Sequence, residues 1–164
     1  MTGLAVSAYW KSLLAWAAVL VWAAFIFALS AVQDLTVASV GAHGGVSVGG
    51  VVVTRTSGLP VSASEAVDFV VRKFGHVAAF AVLATLLWLA LARSRRRNAP
   101  VLAWVLTSAY GATDEFHQLF TAGRHGTLED VVFDAIGALL AVLAIAASLR
   151  LRATIRRRRA VPGY

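Results

Sequence analysis

The sequence predicts an all-α membrane protein, an up-down bundle of four transmembrane helices with both termini in the cytoplasm. Three observations lead there. Hydrophobic residues make up 59% of the 164-residue chain and charged residues only 14%, with a mean hydropathy of +0.76; a soluble domain of this length needs more polar surface. Four long apolar runs, at about residues 12–32, 74–92, 100–120 and 131–149, match the roughly 20 helical residues that cross a bilayer core. Lipid admits no unpaired backbone groups, so such runs must be helices. Finally, the basic residues concentrate on one side of the implied topology.

The first run, residues 12–32, has no charge and follows Lys11. Lys11 and Ala28-Leu29-Ser30 have the outline of a signal peptide, but the run is longer than a usual h-region, so it reads as a span. An outer loop at residues 33–72 follows. Its middle, residues 41–58, is rich in Gly and Val, which suits a short hairpin, an irregular flap or a structureless linker. Pro60 closes that stretch, and Ser62 with Glu65 has capping-box spacing. An amphipathic helix (Ala66, Phe69, Val70) is expected to start there and run into the second span, where His76 is the one interruption. Residues 93–98 make a basic turn, and Pro100 heads the third helix, where its missing N–H costs nothing. The third run is uncharged as far as Thr113, then ends in Asp114, Glu115, His117 and Gln118. Residues 121–129, with Gly123 and Gly126, form a short outer loop. The fourth run holds one acid, Asp134, before a basic tail. Residues 1–164 show no internal repeat and read as a single transmembrane domain.

The net charge is +7. Lys11, Arg93, Arg95, Arg96, Arg97, Arg150, Arg152 and residues 156–159 flank the spans at the positions that the positive-inside rule assigns to the cytoplasm. Arg55, Arg72, Lys73 and Arg124 remain for the outer face. All eight acids and all four histidines fall in the outer loops or outer helix ends. The orientation rests on Lys and Arg alone, so that segregation is a separate observation. This distribution favours contact with anionic lipid headgroups and argues against nucleic acid. The absence of cysteine excludes a disulfide framework, a thiol nucleophile and a cysteine–zinc site.

The candidate chemistry lies at those outer helix ends. Asp114, Glu115, His117 and Gln118 occupy the last two turns of the third span, where an acid is costly and by default faces the bundle interior. Asp114, His117 and Gln118 share a face, with Glu115 about 100° away. Asp130 and Asp134 stand one turn apart, Lys73 and His76 likewise, and Arg124 sits on the loop between the third and fourth helices. Plainer roles compete at single positions. Lys73 alone suits a snorkelling interface lysine, and Asp130 alone a helix N-terminal acid. His125, His43 and Arg55 read as solvated loop residues; Phe80, Tyr110 and the tryptophans read as packing or interface anchors. Adjacent acids inside a membrane are harder to dismiss, because they repel and need partners, although a buried ion network can also serve to hold helices together.

Lys73-x-x-His76, then Asp114-Glu115-x-His117-Gln118-Leu119-Phe120, then Gly123-Arg124, then Asp130-x-x-x-Asp134-x-x-Gly137 resemble the VanZ-like family. The resemblance covers about residues 68–145, and Phe27-Ala28-Leu29-Ser30 at the end of the first span fits it too. The D-E-x-H-Q element inside a hydrophobic helix is its most specific part. Four positions depart from the family pattern: Arg72 stands where an acid is frequent, Phe80 for tyrosine, Ala122 for proline and Asp134 for asparagine. The resemblance implies a bacterial cytoplasmic-membrane protein, in a family named for a protein associated with teicoplanin resistance. It supplies no reaction by itself.

The residues then suggest three classes of function. The first is binding or modification of an outer-leaflet, lipid-linked envelope precursor or phospholipid headgroup. In this reading Lys73, Gln118, Arg124, Asp130 and Asp134 contact the ligand, and Arg124 grips phosphate with its planar fork. The second is an enzyme in which His76 or His117 is the general base, a carboxylate orients it, and Lys73 or Arg124 stabilises a developing anion. The catalytic candidates are His76, Asp114, Glu115 and His117. A metal-assisted variant would use His117 or His76 with Asp114, Asp130 and Asp134, donors that zinc or manganese accepts. With no fixed-spacing metal signature, no metal ligand is assigned and the cofactor stays open. The third is a structural subunit of a larger membrane complex. A ligand site requires an open, outward cavity with the polar side chains unpaired, whereas a structural lock would show them fully paired and sealed.

Overall fold

The computed structural model describes residues 3–31, 47–48, 51–52, 61–121 and 126–160. Among the described residues, four helices carry the architecture: α1 (Gly3–Ser30), α2 (Val61–Arg93), α3 (Ala99–Gln118) and α4 (Leu128–Ala160). Between α1 and α2, Ser47–Val48 (β1) pairs antiparallel with Val51–Val52 (β2), Ser47 opposite Val52 and Val48 opposite Val51. This is the short hairpin suited to the Gly/Val-rich loop, whose remaining residues lie outside those described. The helix expected near Ser62 begins at Val61 and continues without a break through the second span. At the other end of the chain α4 extends through the basic tail.

Among the described residues, three helices are long and apolar enough to cross a membrane, within Tyr9–Ser30, Val70–Arg93 and Leu128–Arg159. The third expected span, α3, has 20 residues, about 30 Å of helix and enough for a bilayer core. Its apolarity falls short because Thr107, Ser108, Thr113, Asp114 and Glu115 are part of it.

The inner faces follow helical spacing. On α2, Lys73, Phe80, Leu83, Ala84, Leu87, Ala90 and Leu91 are buried along one stripe, with side chains three or four residues apart sharing a face. On α3 the buried stripe is Ala99, Ala103, Thr107, Gly111, Asp114, Glu115 and Gln118; its small residues let neighbouring backbones come close. α2 packs most extensively on α4, and α3 also packs on both of them. α1 lies against α2 with a narrower strip, Val19, Ile26 and Ser30, and exposes Leu14, Leu20, Val21 and Phe25. Trp22 donates its indole N–H to the Ala79 carbonyl at 2.9 Å, and the Tyr110 hydroxyl donates to the Ala23 carbonyl at 2.6 Å. These two bonds tie α1 to α2 and α3.

Contacts between ends fix the directions. Midway along α1, Trp16 reaches Ser94 just past the end of α2, while the last residue of α1, Ser30, meets Asp114 near the end of α3. Lys73 near the start of the α2 span meets Asp130 at the start of α4. The order is therefore up-down-up-down, and the polar ends of all four helices come together. The α2–α3 turn reverses within five residues. Arg96 N–H bonds the Leu91 carbonyl and Arg95 N–H bonds the Ala92 carbonyl, the paired bonds of a Schellman stop. The left-handed position in that stop is filled by Arg95, with φ 56°, where glycine is usual. Pro100 then sits in the first turn of α3, as its missing N–H predicts.

Candidate functional site

The buried stripes change character along the bundle. At the end bearing the basic turn they are aliphatic; at the other end every helix contributes a polar group. Ser30, Lys73, Asp114, Glu115, Gln118, Asp130 and Asp134 are all buried there.

Asp114 and Glu115 are adjacent acids, and the local sequence supplies their common donor. Gln118, one turn later, donates its amide N–H groups to Asp114 Oδ2 at 3.2 Å and to Glu115 Oε1 at 3.1 Å. The Ser30 hydroxyl adds a 2.6 Å bond to Asp114 Oδ2 from α1. Glu115 Oε2 accepts the backbone N–H of Thr127 at 2.9 Å. Thr127 in turn caps α4: its hydroxyl oxygen accepts the Asp130 N–H at 3.2 Å, and its O–H donates to Asp130 Oδ2 at 3.0 Å. Gly126 makes this approach possible, since a Cβ there would fall 2.1 Å from the Glu115 carbonyl oxygen.

On α2, the Lys73 ammonium lies 2.5 Å from Asp130 Oδ1, 3.3 Å from Glu129 and 4.9 Å from the centre of the Phe133 ring. One turn on, His76 Nδ1 lies 2.9 Å from Asp134 Oδ1. This second contact depends on glycine. A Cβ on Gly137 would fall 2.3 Å from the Val77 carbonyl oxygen, so the bare glycine lets α4 lie directly on the α2 backbone. Gly111 does the same on α3, where a Cβ would come within 2.8 Å of Asp134 Oδ2.

The sequence-derived candidates therefore divide. Lys73, His76, Asp114, Glu115, Gln118, Asp130 and Asp134 converge in one cluster. Arg124 lies outside the described residues, as do His125, His43 and Arg55. Glu115, expected about 100° off the face shared by its neighbours, is buried with Asp114 and Gln118. The inner face of α3 is broad because the helix packs against both α2 and α4. His117 is the residue turned aside: its ring lies 4.2 Å from that of Phe27 on α1. The potential cation-holding set among the described residues is His76, Glu115 and Asp134; it shares His76 and Asp134 with the expected metal-assisted set and has Glu115 in place of Asp114 and Asp130.

Sequence reasoning missed Thr127 and gave Ser30 no role. Thr127-Leu128-Glu129-Asp130 has the spacing of a helix cap, which was a readable signal. For Ser30 the signal was the Phe27-Ala28-Leu29-Ser30 resemblance alone; by itself, a serine at the end of an apolar run looks like an ordinary boundary. Two acids remain incompletely paired. Among the described residues, Asp114 Oδ1 and Asp134 Oδ2 are buried without a hydrogen-bond partner, while the other carboxylate oxygen of each is bonded.

Comparison with known proteins adds one match. The sequence profile of the VanZ/LLP1 family matches residues 13–150, which include every element of the cluster. No curated protein and no solved structure matches the chain. With a family match over most of its length and three helices fit to cross a bilayer, the chain is a multi-pass membrane protein and belongs to the VanZ/LLP1 family.

Proposed function

We propose that the polar cluster is an outward-facing site of a bacterial cytoplasmic-membrane protein, one that binds or modifies the headgroup of a lipid-linked cell-envelope molecule. The single observation that carries this reading is a pair of buried carboxylate oxygens, Asp114 Oδ1 and Asp134 Oδ2, with no hydrogen-bond partner among the described residues. A purely structural lock would leave no such acceptors, because an unsatisfied buried polar group costs about 1–3 kcal/mol. Carboxylates with a spare acceptor suit hydroxyl, amide or amine groups on a sugar or amino-acid headgroup. Placement at the end of a bundle lets the acyl or prenyl tail remain in lipid. The orientation follows from the positive-inside rule, since the arginines of the α2–α3 turn and the α4 tail lie at the opposite end.

A second reading, an enzyme acting on that headgroup, is favoured by His76 and Asp134. A histidine held 2.9 Å from a buried carboxylate is oriented for proton transfer. Family membership adds protection against glycopeptides such as teicoplanin as the phenotype to measure. The test is teicoplanin survival in a strain lacking the native gene, with membrane levels of each variant quantified. Asp114→Asn and Glu115→Gln together should abolish protection at unchanged protein level. Full protection by the double variant would overturn the assignment.

A further inference from the structure

His76 on α2, Glu115 on α3 and Asp134 on α4 each offer one ligand atom, and these atoms all lie within 4.8 Å of one another. Their setting among the described residues is short of positive charge. Among the described residues the buried acids of the cluster are Asp114, Glu115, Asp130 and Asp134, and the one buried lysine, Lys73, is engaged with Asp130 and Glu129. The donors to Glu115 among the described residues are neutral, Gln118 and the Thr127 N–H. Asp134 is 0% exposed, meets His76 through Oδ1, and has no partner at Oδ2. The space beside that oxygen is kept open by Gly111, one turn before Glu115, where a Cβ would intrude to 2.8 Å. Uncompensated carboxylates within a membrane bundle are costly, and a divalent cation between two of them removes that cost.

We propose that His76, Glu115 and Asp134 bind a divalent transition-metal ion of the zinc or manganese type. One imidazole with two carboxylates is a mixed nitrogen–oxygen set, which suits those ions; magnesium and calcium prefer all-oxygen shells. Three protein ligands leave a coordination position for water or a headgroup oxygen, as in catalytic zinc sites. Ligand bonds of about 2.0–2.2 Å require the donors to close by about an ångström, within the reach of side-chain rotation. The three protein ligands bind the metal whether water or a headgroup oxygen fills the remaining position, so the inference does not rest on the headgroup reading and is tested without lipid substrate.

The experiment uses the full chain in detergent, purified through a tag that contains no histidine. Metal content is measured by mass spectrometry, and chelator-stripped protein is titrated with Zn²⁺, Mn²⁺ and Co²⁺, the last followed through its visible ligand-field bands. About one equivalent should bind, as a single three-ligand site requires. His76→Gln, Glu115→Gln and Asp134→Asn should each weaken uptake by about tenfold or more, whereas His117→Gln should retain it. Size-exclusion profiles identify any variant that fails to fold, and the wild-type titration stands without variants. Stripped wild-type protein that takes up none of the three ions would overturn the proposal. So would undiminished uptake by a folded Glu115→Gln/Asp134→Asn double variant.

Discussion

His76 on α2 and Asp134 on α4 meet at 2.9 Å, one turn from the place where Gly137 lies bare against the Val77 carbonyl. The two relationships are linked: the hydrogen bond needs the helix spacing that the glycine allows. Alanine at 137 has the better helix propensity, by about 1 kcal/mol, but its Cβ would sit 2.3 Å from a backbone oxygen that cannot swing away. The clash should prevail. Gly137→Ala is expected to lower stability by about 1–3 kcal/mol, read as a fall in melting temperature in detergent. An unchanged or higher melting temperature would show that α2 and α4 are not in backbone contact there.

Lys73 and Asp130 make a buried pair, each side chain about 7% exposed. Removing one partner strands the other, so Lys73→Met should destabilise by about 3–5 kcal/mol. Neutralising Asp130 as well should recover much of that loss, because asparagine keeps the shape and the oxygen that faces Thr127. The Lys73→Met/Asp130→Asn double variant is therefore expected to be more stable than Lys73→Met alone. Strict additivity in the double-mutant cycle would contradict the pairing.

The fold was largely legible because its signals are local. Long apolar runs and the Arg93 to Asn98 turn mark helices and their connection without any knowledge of neighbours, and Pro100 sits where its lost N–H is harmless. The reach of α4 through Arg150 and Arg152 was less legible, since a basic tail reads equally well as helix or coil. Arg95 in a left-handed conformation was not legible, as only glycine or asparagine announces such a stop. Within the site, the shared depth of Lys73, His76, Asp114, Glu115, Asp130 and Asp134 followed from counting along the spans. Which acid would meet which base did not, because helix rotation is set by packing. Gly111 and Gly137 are where that packing is decided, and His117 turns to Phe27 for the same reason.

The claim on which the functional account depends is that the polar end of the bundle faces away from the cytoplasm. The chain has no cysteine of its own, so single cysteines report without interference. Leu128 is 86% exposed beside the cluster, and Ser94 is exposed in the basic turn at the opposite end. In intact cells, a membrane-impermeant maleimide should label Leu128→Cys and leave Ser94→Cys unlabelled until the membrane is permeabilised. Labelling of Ser94→Cys from outside, with Leu128→Cys protected, would turn the site toward the cytoplasm and contradict the account.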